Sequence, residues 1–225
     1  MIPMHNLRLI GLLVLWLAGC TGSDKQQQNG TADRDGAAES KANRKVIVFF
    51  GNSLTAGYGL ELSEAYPALI QAKIDLLGLN YEVINAGVSG ETSASGNSRI
   101  DWVLESPIDV FVLELGGNDG LRGLELRETY KNLQSIISKV KNKYPDAVII
   151  LAGMQVPPNM GKQYSEAFAA MYPQLAREMG VRLIPFLLEG VGGERHLNLS
   201  DGIHPTAEGQ QIVAENVWQV LKDVL

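Results

Sequence analysis

The alternation of short apolar runs with amphipathic stretches predicts an α/β protein, a parallel sheet held between two layers of helices. Three observations point there. The run Val46-Ile47-Val48-Phe49-Phe50 is apolar throughout rather than alternating, the pattern of a strand buried on both faces. Stretches with helical spacing separate this run from later ones, and repeated strand–helix alternation favours parallel pairing through crossover helices. Glycine or proline stands at the ends of several of these stretches, where a stop is expected.

Taken in order, the first strand is expected at 46–50. A helix follows at 64–77, with Ala65, Leu69, Ile70, Ile74 and Leu77 on its apolar side and Gly78 beyond its end. Residues 81–85 form a second strand, 97–105 a helix, and 110–115 a third strand. A helix at 127–143 stops before Pro145. A fourth strand covers 147–152, a helix 163–179 ends at Gly180, and 181–185 is a short fifth strand. The closing helix spans 206–224, with Thr206 placed to cap it. Five strands and about five helices without an internal repeat suggest a flavodoxin-like three-layer α/β/α sandwich with a five-stranded parallel sheet, occupying 46–225 as one domain.

In open sheets of this kind, sites form beyond the carboxyl ends of the strands, near the switch in strand order. Three segments with chemistry-bearing side chains follow strands: Gly51-Asn52-Ser53-Leu54 after the first, Asn85-Ala86-Gly87-Val88-Ser89-Gly90 after the second, Gly116-Gly117-Asn118-Asp119 after the third. A fourth, Asp201-Gly202-Ile203-His204-Pro205, precedes the last helix. Together they complement each other. A serine hydroxyl is a weak nucleophile until a neighbouring base takes its proton. Histidine suits that task near neutral pH, and His204 has Asp201 three residues earlier to orient its ring. A developing oxyanion needs preorganised donors. The Asn118 side-chain amide, the Gly90 backbone N–H and the Ser53 backbone N–H can supply them. His196 is the rival base in the domain and is expected on a solvated loop. Asp119 is expected to stabilise its own tight turn, and Gly87 to allow the bend after the second strand.

These segments, in this order, resemble the motif blocks of the SGNH (GDSL) hydrolases, over the chain from Val46 onward. Gly51-Asn52-Ser53-Leu54 corresponds to block one, Gly90 to block two, Gly116-x-Asn118-Asp119 to block three and Asp201-x-x-His204 to block five. The stretch from Leu113 to Gly123 and the residues 164–175 resemble the bacterial multifunctional thioesterase, arylesterase and lysophospholipase subgroup in particular. The resemblance implies Ser53 as nucleophile, His204 as general base and acid, Asp201 as its orienting partner, and Ser53, Gly90 and Asn118 as the oxyanion hole. It implies a serine esterase working through an acyl-enzyme, with no metal or organic cofactor. A carbohydrate O-acetyl esterase and a non-catalytic envelope-binding lipoprotein are the alternatives. Residues 154–160 and 120–124 are expected to line an acyl groove. One departure stands out: the family usually carries aspartate before the serine, and this chain has Asn52.

Composition narrows the partners. The 225 residues are 45% hydrophobic and 20% charged, and the net charge is −6. That balance fits a folded globular domain and leaves no basic excess to neutralise nucleic-acid phosphates. Three histidines and one cysteine are poor material for a structural zinc site. The single cysteine, Cys20, closes an apolar stretch that follows Arg8 and ends Leu17-Ala18-Gly19-Cys20. The stretch is too short to cross a bilayer, which takes ~20 apolar residues, and it fits a secretory leader. Its end resembles the lipobox of bacterial lipoproteins. That implies cleavage after residue 19, a lipid on Cys20 and a place in the cell envelope facing the periplasm or exterior. Thr21 in place of aspartate tilts toward the outer membrane. Residues 20–45 are expected to form a flexible tether, poor in aromatic and β-branched residues. As a coil it would span roughly 25–30 Å. The expected partners are therefore a small-molecule or lipid ester and the membrane; nothing in the sequence sets an oligomeric state.

Overall fold

The computed structural model describes residues 44–225. The expected leader and almost all of the tether, including Cys20, lie outside the described residues, and Lys45 already opens the first strand. Strands β1 (Lys45–Gly51), β2 (Tyr81–Gly87), β3 (Val110–Glu114), β4 (Val148–Ala152) and β5 (Arg182–Ile184) form one sheet. Its order is β2-β1-β3-β4-β5 with every pairing parallel, the flavodoxin-like arrangement expected.

The chain runs outward from β1 to β2, then returns and continues through β3, β4 and β5. Right-handed crossovers therefore divide the helices between two faces. Helix α2 (Tyr66–Leu76) packs against α7 (Ala207–Leu221), while α3 (Ser93–Val103), α5 (Leu126–Lys143) and α6 (Lys162–Met179) pack in sequence on each other. Phe49, Phe50, Phe111, Leu113 and Ile150 are wholly buried in the sheet layer. Burying each such side chain stabilises the fold by ~1.5–3 kcal/mol. Strand β2 is an edge, and Gln71 of α2 covers part of it: its Oε1 accepts from Val83 N at 2.6 Å and its Nε2 donates to Tyr81 O at 3.3 Å.

Boundaries differ from expectation where local chemistry outweighs the apolar period. Helix α2 starts at Tyr66, because Leu62–Glu64 forms a separate 3-10 turn and Ala65 is extended. Pro67, lacking an N–H, then fits the first turn of α2. Helix α3 starts at Ser93, four residues before the expected start, capped by the Thr92 hydroxyl accepting from Ser95 N. This first turn carries small residues instead of an apolar stripe, because Gly96 lies so close to the sheet that a Cβ there would stand 2.3 Å from Leu115 Cδ1. Strand β5 ends before Pro185, which has no N–H for a ladder. Two short helices, α1 (Ser53–Ala56) and α4 (Gly117–Leu121), escaped the periodicity because each is one turn long.

Gly87 does not make a bend. It is the last residue of β2, paired with Gly51, and a Cβ there would stand 2.4 Å from Ala56 N of the neighbouring backbone. Gly87→Ala is therefore expected to force β2 and α1 apart, lowering the unfolding free energy by ~1–3 kcal/mol as overpacking does. The urea denaturation midpoint is the measurement; an unchanged midpoint would show that the two backbones are not in the tight contact described.

Candidate active site

Ser53 opens α1 directly after β1. Asn52 caps the helix, its Oδ1 accepting from Leu54 N at 3.0 Å, and Gly57 closes it in the left-handed conformation. The turn is tied down from beneath by Glu114, the last residue of β3. Its carboxylate accepts from Asn52 N at 3.0 Å, Asn52 Nδ2 at 2.7 Å and Thr55 Oγ1 at 2.8 Å. Gly51 permits this, since a Cβ there would stand 2.1 Å from Thr55 Oγ1 and 2.5 Å from Glu114 Oε2. Ser53 is left 7% exposed.

The loop before α7 meets this turn. Asp201 Oδ1 accepts from Ile203 N and His204 N at 2.9 and 3.0 Å, so the carboxylate folds back over its own loop. Its Oδ2 lies 2.6 Å from His204 Nδ1, and His204 Nε2 lies 2.9 Å from Ser53 Oγ. Partial burial acts to raise the Asp201 carboxyl, but hydrogen bonds from the His204 ring and from the backbone of His204 and Ile203 outweigh it and hold the group down at about 2. An ionised Asp201 takes the Nδ1 proton as a hydrogen-bond acceptor, leaving Nε2 to accept the Ser53 hydroxyl. The Tyr58 ring packs over the imidazole with centroids 4.5 Å apart. Sequence reasoning missed Tyr58, whose position beyond the serine motif carries no signal of that contact. His196 lies exposed on a separate 3-10 turn, as expected of a solvated residue.

On the other side of the serine, Asn118 sits in the first turn of α4 and donates its Nδ2 to Glu91 O at 2.9 Å. That carbonyl belongs to the residue after Gly90, which has a positive φ of 81°. The loop carrying both is clamped by Arg99, whose guanidinium bonds both Glu91 carboxylate oxygens at 2.5 and 2.6 Å and Ala86 O at 2.7 Å. Asp119 does not serve its own turn. Its carboxylate reaches across to Ser93 N and Ser93 Oγ at 2.8 and 2.5 Å, and Thr129 Oγ1 donates to it at 3.3 Å. It therefore joins the segment after β3 to the start of α3, because its side chain is buried against those donors rather than facing the loop.

Ser53, Asn118 and His204 line one cavity of about 440 Å³. Met154 to Pro158 and Leu121 line it too, so parts of both expected groove segments are there, while Met160, Gly123 and Leu124 border a separate open cleft. Phe186, Leu188 and Ile203 complete the apolar wall and were not anticipated. The apolar run after β5 was the available signal for the first two, but it matches ordinary core equally well. Among the described residues no group of three or more His, Cys, Asp or Glu side chains converges as metal ligands would.

The GDSL-like Lipase/Acylhydrolase family matches residues 49–212. Esterase TesA of Pseudomonas aeruginosa is 40% identical over 186 residues, covering 82% of this chain and 92% of that protein. The arylesterase of Vibrio mimicus is 38% identical over the same shares of each chain. Thioesterase 1/protease 1/lysophospholipase L1 of Escherichia coli is 39% identical over 171 residues, 76% of this chain and 80% of that one. The crystal structure of TesA superposes with a TM-score of 0.77 at 41% identity, covering 80% of this chain and all of that one. The chain belongs to the GDSL (SGNH) hydrolase family and is a carboxylic ester hydrolase.

Proposed function

We propose that the protein hydrolyses acyl esters through a covalent acyl-enzyme on Ser53, and the observation that carries this is the unbroken relay from Asp201 through His204 to the Ser53 hydroxyl. Ser53 Oγ attacks the ester carbonyl carbon while His204 Nε2 takes its proton. The oxyanion is received by the backbone N–H groups of Ser53 and Gly90 and by the second hydrogen of Asn118 Nδ2, the first being held by Glu91 O. Collapse expels the alcohol or thiol, which leaves with the proton from His204. Water then attacks the acyl carbon, giving its proton to Nε2, and the acid departs as Ser53 recovers its hydrogen. The relatives named as arylesterase, thioesterase and lysophospholipase, together with an apolar cavity far larger than an acetyl group fills, support aryl esters, lysophospholipids and acyl thioesters as the substrate classes.

The motif ending at Cys20 supports a further part of the reading. The mature protein carries its lipid there and works in the cell envelope, facing the periplasm or exterior.

Ser53→Ala is expected to abolish turnover of p-nitrophenyl butyrate, and Asn118→Ala to lower kcat by about 10²–10³, as loss of one oxyanion donor does. Wild-type turnover in the first, or a loss of only a few-fold in the second, would remove that residue from its role. Across p-nitrophenyl esters from acetyl upward, kcat/KM should rise about fourfold for each methylene that the cavity buries, at ~0.8 kcal/mol per group. A preference for acetate over every longer chain would overturn the lipid-type reading. In a bacterial host, metabolic labelling with a fatty acid should mark the wild-type chain and not Cys20→Ser; a wild-type chain without label would reject the anchor.

A further inference from the structure

Glu114 is wholly buried and takes no part in the chemistry proposed above. In the sheet it stands beside Gly51, strand to strand, and its side chain passes over that glycine into the turn that carries Ser53. Donors from Asn52 and Thr55 converge on it, the backbone N–H and side-chain amide of Asn52 and the hydroxyl of Thr55, with the Thr55 backbone N–H adding to them. The residues on either side of the serine turn are thus held by one carboxylate. Asn52 relays the hold: with Nδ2 on Glu114, its Oδ1 faces Leu54 N at 3.0 Å and Ser53 Oγ at 3.4 Å. Turning the amide over would set Nδ2 against Leu54 N, donor against donor, and would lose the cap.

We propose that Glu114 is the positioning residue of the nucleophile turn, acting as a lone carboxylate acceptor, and that Asn52, where the family usually carries aspartate, is the amide that makes a lone carboxylate workable there. An aspartate at position 52 would bring two carboxylates to hydrogen-bond distance, an arrangement that holds only if the pair retains a proton. An amide needs no such proton. Burial pushes the Glu114 carboxyl up to about 7, with the hydrogen bonds from Asn52 and Thr55 pulling the other way. The titratable groups that feel it are two buried phenols, Tyr66 on α2, bonded to Thr55 Oγ1 at 2.8 Å, and Tyr172 on α6. Among the described residues no lysine, arginine or histidine contributes to its shift. The hydrogen bonds that hold the carboxylate in place therefore come from the turn it organises.

The inference rests on Ser53 as nucleophile, and a donor–acceptor swap tests it separately. Glu114→Gln sets one amide N–H₂ against another. It should lower kcat for p-nitrophenyl butyrate at least about tenfold with KM within about threefold, because the turn shifts while the apolar wall of Met154, Phe186 and Leu188 is untouched. The double variant N52D/E114Q reverses the pair. The introduced glutamine amide donates to the introduced aspartate, whose second oxygen still accepts from Leu54 N. The glutamine carbonyl oxygen still receives the backbone N–H of position 52 and the Thr55 hydroxyl. The double variant should recover kcat to within about threefold of wild type, a coupling that a merely structural residue would not show. A wild-type kcat in E114Q overturns the proposal. So does a folded double variant no faster than E114Q, or a double variant that does not fold, since the swap preserves every bond of the cluster. If E114Q alone fails to fold, the kcat of the folded double variant decides: within about threefold of wild type supports the positioning, and a larger loss overturns it. Ser53→Ala runs beside them: turnover surviving there refutes the nucleophile, whereas a wild-type rate in E114Q refutes only the positioning.

Discussion

Strands β1 and β3 lie side by side and run the same way, with Gly51 opposite Glu114 at their carboxyl ends. Everything at the active site depends on that pairing. It puts the Ser53 turn and the Asn118 turn on one edge of the sheet, at the point where the chain switches from building toward β2 to building toward β5. Had β1 paired with β3 one residue out of register, Glu114 would point to the opposite face of the sheet and the turn would lose its acceptor. Parallel strands cannot slip cheaply here, because both are buried on both faces and each side chain is matched to a helix layer.

The site is assembled from buried polar groups, and each has its partner. Asn52, Thr55, Glu91, Glu114 and Asp119 all lie in the interior, and among the described residues no buried side-chain nitrogen or oxygen lacks a hydrogen bond. An unpaired member would cost about 1–3 kcal/mol of desolvation, so the cluster holds as a set. Two glutamate carboxyl groups serve different edges of it. Glu91, paired bidentately with Arg99, holds the loop that offers Gly90. Glu114 has no cation among the described groups that shift it and is held by hydrogen bonds. The carboxylate that touches the imidazole, Asp201, is of a third kind: at the surface, turned over its own loop and kept ionised by the groups it orients.

Much of this was legible from residue order. Continuous apolar runs marked β1, β3 and β4, and parallel pairing followed from helix spacing between the strands. The four segments that bring Ser53, Gly90, Asn118, Asp201 and His204 carry enough chemistry to be singled out, and the structure brings Ser53, Asp201 and His204 into one relay with Asn118 lining the same cavity. Other readings went astray for a common reason. Local sequence assigns Asp119 to its own turn and Gly87 to a bend, yet both act across space, Asp119 on Ser93 and Gly87 against Ala56. Tyr58 over His204 and Phe186 in the cavity wall left no trace in periodicity, because an apolar residue near a strand end reads the same whether it faces substrate or core.

The order of strands and helices, the three-layer class and the residue types needed for acyl transfer were set by the sequence by itself, since each depends on local spacing and on side-chain chemistry. Tertiary structure alone decided which groups meet. A contact between residues 151 positions apart, Ser53 and His204, or 62 apart, Asn52 and Glu114, depends on sheet order, register and the close approaches that Gly51 and Gly87 permit. Those are properties of packed backbones, and a linear pattern holds no distance between its distant parts.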